Sequence, residues 1–329
     1  MIELKRDRLR FSFPEVHKEA KLEIHFQRTL RIPDDGKTYP LPPGLGRFPL
    51  RHVDDFAEAM PESWIQHGGV FLPMYQSEAL WICFGGHYPF AVKVATGKID
   101  AVTGKTWSDG IHHKPQDFVS IPTQPWLDGY CVKKGTIRQF VAMPLGSGYT
   151  AEEQITGEAE VGGLQIVAYP LKAKYYEGQG GMLRAVSADV LSAPGGAVFD
   201  MGLAPGGKMR QMIFEDDRPL HHWDLDHGSR CFVHIANSLS WRSITGEDPP
   251  TAPFTAKEYA KHGMPWFDYY GGDTKAVGGS PTLQSLKSVF QMGKEKGENP
   301  LPENESVKPG PVVQVGEKIS PNQVREGRF

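Results

Sequence analysis

The segment His221-His222-Trp223-Asp224-Leu225-Asp226-His227 holds three imidazoles and two carboxylates in seven residues, and His234 follows seven positions later. Imidazole titrates near neutral pH, and His with carboxylate is a common donor set for zinc, manganese or iron. In an extended chain His222, Asp224 and Asp226 share one face, while His221, Trp223 and His227 take the other. A site built from His222, Asp224, Asp226, His227 and a returning His234 would imply a divalent metal such as zinc as cofactor. With one coordination position open, that metal would lower the pKa of a bound water and supply a nucleophile. The competing reading is a polar loop. Asp-x-Asp is frequent in turns because Asp bonds nearby N–H groups, and Trp223 would then anchor the loop.

Other segments carry less. His112-His113 follows the Asp109-Gly110 turn and reads as an exposed pair or as donors completing a distant metal site. Gly202 to Met209 approaches a phosphate-cradling loop, but Met209 stands where a hydroxyl is needed and no helix follows; the stretch reads as a turn before a strand. No G-x-S-x-G elbow occurs. The carboxylate pairs Glu152-Glu153 and Asp216-Asp217 are adjacent, so on a strand their members diverge. Large flat side chains gather at Pro125-Trp126-Leu127-Asp128 and Pro265-Trp266-Phe267-Asp268-Tyr269-Tyr270. Trp126, Trp223, Trp266 and Tyr269 are the candidates for a binding platform that would take a carbohydrate or another small molecule, with core packing as the alternative use.

The elements that would position these groups are mostly strands. Gly 37 and Pro 27 make up about a fifth of the 329 residues, against a usual ~12%, so turns are many and long helices few. Leu22, Ile24 and Phe26 alternate along a strand. Ala91 to Val102 reads as a hairpin turning at Gly97-Lys98, and 136–143 and 164–169 read as central strands. Strands resume at 208–214 and 230–235. Helices come as a short turn after Pro61, a capped helix opening at Thr255 with Glu258, and a helix over 282–291 carrying Leu283, Leu286, Val289 and Phe290.

Residues 1–20 form a charged N-terminal arm and 21–292 one β-rich core, with a loop or break near 175–181. Residues 293–329 form an extended Pro-rich, charged tail. That tail has little apolar surface of its own and must lie on the core or on a second copy of the chain, which makes a homo-oligomer joined through the tail the expected assembly. Net charge is −3 with no strongly basic segment, which argues against nucleic acid as a partner. No apolar run approaches the ~18 residues of a membrane span. Cys83, Cys131 and Cys231 each sit in an apolar run and read as buried reduced thiols, and the N-terminus lacks a signal peptide's apolar stretch; a cytoplasmic location is the expectation.

Several phrases resemble a family of uncharacterised bacterial proteins: 42–46, 124–129, 138–146, Trp223-Asp224-Leu225-Asp226, Phe232-Val233-His234-Ile235 and Pro265-Trp266-Phe267-Asp268. The resemblance covers residues 22 to about 300. No activity attaches to that family, so it implies no function. Its pattern includes the Trp-Asp-x-Asp core but not His221, His222 or His227, which implies that Asp224 and Asp226 hold the loop. The sequence thus points to an α+β, β-dominated fold, an antiparallel β-sandwich or barrel core with a few peripheral short helices. Three functions fit it. The first is a binding or self-assembling protein without a catalytic motif. The others are a metal-dependent hydrolase or oxygenase using 221–234, and a carbohydrate-binding or carbohydrate-active protein using the aromatic platforms.

Overall fold

A computed structural model describes residues 1–176, 200–270, 275–299 and 301–316. The fold is β-dominated, with one large, mainly antiparallel sheet, a small parallel sheet and a few short helices at the periphery. One continuous path of pairing runs through the large sheet. Leu9–Ser12 pairs with Lys21–Thr29, which pairs with Ala79–Gly85, and that strand meets Thr136–Pro144. The path continues through Asp200–Arg210, Ser229–Asn237 and Leu164–Pro170 to Phe90–Thr96 and Val119–Ile121. Thr38–Tyr39 and Val70–Met74 join it in parallel.

The sheet packs against itself in a sandwich-type arrangement. Phe13, beside the start of the path, meets Phe90 near its end with ring centroids 5.6 Å apart. Tyr130 crosses the interior, its hydroxyl reaching Thr96 Oγ1 at 2.9 Å and the Leu203 carbonyl at 2.8 Å. Burial follows the pleat on Lys21–Thr29, where Leu22, Ile24 and Phe26 are buried and the residues between them are half-exposed. Phe90–Thr96 and Leu164–Pro170 are buried on both faces, as their near-continuous apolar runs require. The hairpin at Gly97 forms, with Ile99 opposite Thr96, and Gly97 takes φ +53, a region that favours glycine.

Two local expectations are corrected. Gly202 to Lys208 is not a turn but the middle of the 11-residue strand Asp200–Arg210. Its glycines serve close approach: a Cβ on Gly206 would lie 2.5 Å from Val141 Cγ2, and one on Gly207 2.6 Å from the Pro33 carbonyl. Pro205 is tolerated because the ladder shifts register there, between Arg138 and Phe140 of the partner strand. The helix foreseen over 282–291 is two helices, Pro281–Ser285 and Val289–Glu295. Leu286 is extended, and Ser288 opens the second helix with a capping box to Gln291. Leu283, Leu286 and Val289 are buried all the same, so the spacing reported burial without a continuous helix.

The tail lies on its own chain as far as residue 316. Ser306 Oγ donates to Asp35 Oδ2 at 2.5 Å, Lys257 pairs with Glu305, and Val312–Gly316 adds a parallel strand to Trp266–Tyr270. The supposed break near 175–181 falls largely outside the described residues. No helix among the described residues is long and apolar enough to cross a membrane.

Candidate functional site

The 221–234 cluster does not converge. His221 and His222 end a short 3-10 turn, Leu220–His222, and the chain turns again at Asp226-His227, so the extended parity assumed for Asp224 and Asp226 is lost. Trp223 is 1% exposed and donates through Nε1 to Asp216 Oδ2 at 3.1 Å, fixing the loop from below. Asp224 is buried and pairs with His227 Nδ1 at 3.0 Å, whereas Asp226 is exposed. His222 stacks on Tyr175, with ring centroids 3.7 Å apart. His234 turns away from the loop altogether. It is 2% exposed, stacked on Trp64 at 4.6 Å, with Nε2 3.1 Å from the Gly68 carbonyl. Among the described residues no group of three or more His, Cys, Asp or Glu is placed to hold a metal ion. Of the donors named for a metal, His222, Asp224, Asp226, His227 and His234, the last is thus a core side chain and the others are spread along a turning loop.

Burial pushes the His234 imidazole down to about 4, the largest cause being loss of solvent around its charged form. Its folded pKa lies below its unfolded value of about 6.5, so the unfolded chain takes up the proton first as pH falls. Stability should therefore drop by about 2 kcal/mol between about pH 7 and pH 5 on this account alone. Replacing His234 with Phe, which keeps a ring against Trp64, should flatten that acid limb in denaturant titrations. An unchanged limb would mean that His234 is solvated.

The aromatic candidates divide. Trp223 and Trp266, two of the four rings named for a binding platform, are 1% and 0% exposed and lie in the core. Trp126 and Tyr269 are half-buried and meet edge to face, centroids 4.7 Å apart. They line a cavity of about 370 Å³ together with Gln124, Arg210, Asp268 and Gln314. Arg210 and Asp268 form a bidentate pair at 2.8 and 2.9 Å. The Trp126 carbonyl is held by the amides of Gln124 at 2.9 Å and Gln211 at 3.3 Å. Gln211 also bonds Asp128, a buried carboxyl that desolvation pushes up to about 8. The ring of Trp126 thus stands on a fixed backbone.

A third cluster was not singled out by sequence. Lys93 lies in the middle of the fully buried strand Phe90–Thr96 and is 1% exposed. Its ammonium donates to Asp117 Oδ2 at 2.9 Å and to the carbonyls of Ser108 at 2.7 Å and Gly110 at 3.1 Å. Asp117 also meets His112, accepting from its backbone N–H at 2.6 Å and lying 2.8 Å from its Nδ1. His112 therefore has a role within its loop, while His113 Nε2 approaches Asp216 only to 3.9 Å. The signal that could have found this centre is a lone Lys in an apolar strand, since a buried ammonium demands a carboxylate.

The thiols are inert. Burial pushes Cys83, Cys131 and Cys231 each up to about 12, so none is a thiolate near neutral pH. Comparison of the chain with family models, with curated proteins and with solved structures gives no match.

Proposed function

We propose that this is a binding protein whose ligand is a small hydroxylated molecule of the carbohydrate class, seated in the Trp126–Tyr269 cavity. The observation that carries this reading is the pairing of two half-exposed aromatic rings with a planar Arg210–Asp268 couple around one cavity of about 370 Å³. The apolar C–H face of a sugar packs on aromatic rings, while its hydroxyls need planar groups that donate and accept. Gln314 adds an amide to the same wall. The volume falls within the range of about 300–1,000 Å³ usual for small-ligand sites. The described lining holds no Ser, Thr, Cys, His or Lys, so binding without turnover is the simpler function here.

Titration of the full chain with a panel of mono- and oligosaccharides should quench tryptophan fluorescence for at least one member. Trp126→Ala should weaken that binding about tenfold or more, the effect of losing a central aromatic anchor. Because Trp126 is not a core residue, the variant should keep the wild-type circular dichroism. Silence across the panel, or quenching that survives in the variant, would refute the reading.

A further inference from the structure

Away from the aromatic cavity, a pocket of about 290 Å³ is walled by Lys93, Asp100, Lys105, His112, Lys114 and Asp117. Asp100 is its most unusual member. It is 1% exposed, and its Oδ1 accepts from the Val102 N–H at 3.1 Å, the Thr103 N–H at 2.7 Å and Thr103 Oγ1 at 2.7 Å. Its Oδ2 has no hydrogen-bond partner among the described residues. A buried oxygen left so is costly unless something outside the fold completes it.

We propose that this pocket binds a small carboxylate-bearing molecule, one of whose oxygens accepts a proton-mediated hydrogen bond from Asp100 Oδ2 while Lys105 and Lys114 supply the countercharge. The local charges favour an anion. Lys93 and Asp117 offset each other at 2.9 Å, whereas Lys105 and Lys114 have no ion pair among the described residues. With Oδ1 already saturated by donors, a proton on Asp100 belongs on Oδ2, and an O–H there needs an acceptor. A carboxylate provides one and puts a single charge at that point, even in a diacid, whose second charge lies at its far end. A phosphate would set nearly two charges beside Asp117, so it fits less well.

Burial pushes Asp100 up to about 7, with Asp117 raising it further and Lys93 and the Thr103 bonds holding it down. The groups around it are Lys93, Asp117, Lys105, His112, Lys114 and Cys131, whose thiol stays neutral. Binding needs the protonated acid, so affinity should fall about tenfold per pH unit above about 7, with uptake approaching one proton per ligand. A variant with a permanent donor at this position separates the contribution of that proton from the rest of the pH dependence. Asp100→Asn keeps an acceptor for the Oδ1 bonds and offers a permanent N–H donor where Oδ2 stood.

Calorimetric titration of the full chain with succinate, from about pH 6 to pH 9 in two buffers of different ionisation enthalpy, tests this. The expected result is binding with proton uptake in the wild type, and retained binding without that uptake in Asp100→Asn. Lys105→Ala with Lys114→Ala, both exposed positions, should weaken succinate about tenfold or more while leaving the melting temperature in place. If Asp100→Asn fails to fold, the wild-type proton uptake and the double lysine variant decide the matter. No heat with succinate, an unchanged pH profile in Asp100→Asn, or preference for inorganic phosphate over succinate would overturn the proposal.

Discussion

Removing the carboxylate of Glu78 should cost the fold about 3–5 kcal/mol, the penalty for stranding a buried guanidinium. Glu78 and Arg28 are both buried. Arg28 donates through Nε to Glu78 Oε1 at 2.7 Å and through a terminal nitrogen to the Thr251 carbonyl at 2.7 Å. Glu78 Oε2 accepts the Tyr75 N–H at 2.9 Å. The pair sits where Lys21–Thr29 meets the start of Ala79–Gly85, so it pins the register in which Thr29 faces Ala79. Desolvation raises the Glu78 carboxyl above its ordinary value despite Arg28 beside it. Burial therefore outweighs the attraction, and the pair as a whole adds little net stability. Glu78→Ala should be far worse than the double change Arg28→Met, Glu78→Met, which removes both charges. Urea unfolding of the three proteins measures the difference. A single variant within about 1 kcal/mol of wild type would mean that water reaches the guanidinium.

What could be read in the sequence follows from what a pattern reports. Alternation at Leu22, Ile24 and Phe26, and the apolar runs at 90–96 and 164–170, report burial on one or both faces, and that is enough to place the central strands. The hairpin at Gly97-Lys98 is local, so its turn chemistry is visible in the chain. The failures are cases in which a partner distant in sequence decides. Nothing near Gly206 and Gly207 says that Val141 will crowd the first and Pro33 the second, so a buried strand looks like a turn. His234 looks like a ligand because neither Trp64 nor Gly68 is nearby in sequence. Periodicity over 282–291 recorded three buried apolar residues correctly but could not register that Ser288 caps a new helix.

The sites show the same division. Composition picked out Trp126 and Tyr269 but equally Trp223 and Trp266, because the type of a ring does not say which way it faces. Trp223 is drawn inward by Asp216, a carboxylate seven residues earlier that sequence gave no reason to pair with it. The charged centre at Lys93 went unmarked because its partners, Asp117 and the carbonyls of Ser108 and Gly110, lie in a loop that reads as solvated, beside a His112 that reads as exposed. Only the strand that closes over them makes their charges matter.

That loop is the subject of the second large effect. Lys93→Met keeps the length and apolar body of the side chain but removes the ammonium. The change leaves Asp117 without its buried cation and the carbonyls of Ser108 and Gly110 without a donor. A destabilisation of about 3–5 kcal/mol is expected, since the carboxylate stays buried with only His112 to hold it. The ammonium of Lys93 also lies over Trp107, 5.1 Å from its ring centroid, so the damage should extend along residues 105–118 rather than stay at one point. Adding Asp117→Asn should recover part of the loss. A coupling above about 1 kcal/mol in that double-mutant cycle is the signature of a direct charge pair. Hydrogen exchange gives an independent reading, because amides of the 105–118 loop should lose protection in Lys93→Met while those of Thr136–Pro144 keep theirs. Uniform loss across both segments would instead make Lys93 a member of the global core. In that case the 290 Å³ pocket beside it would be as rigid as the sheet on which it rests.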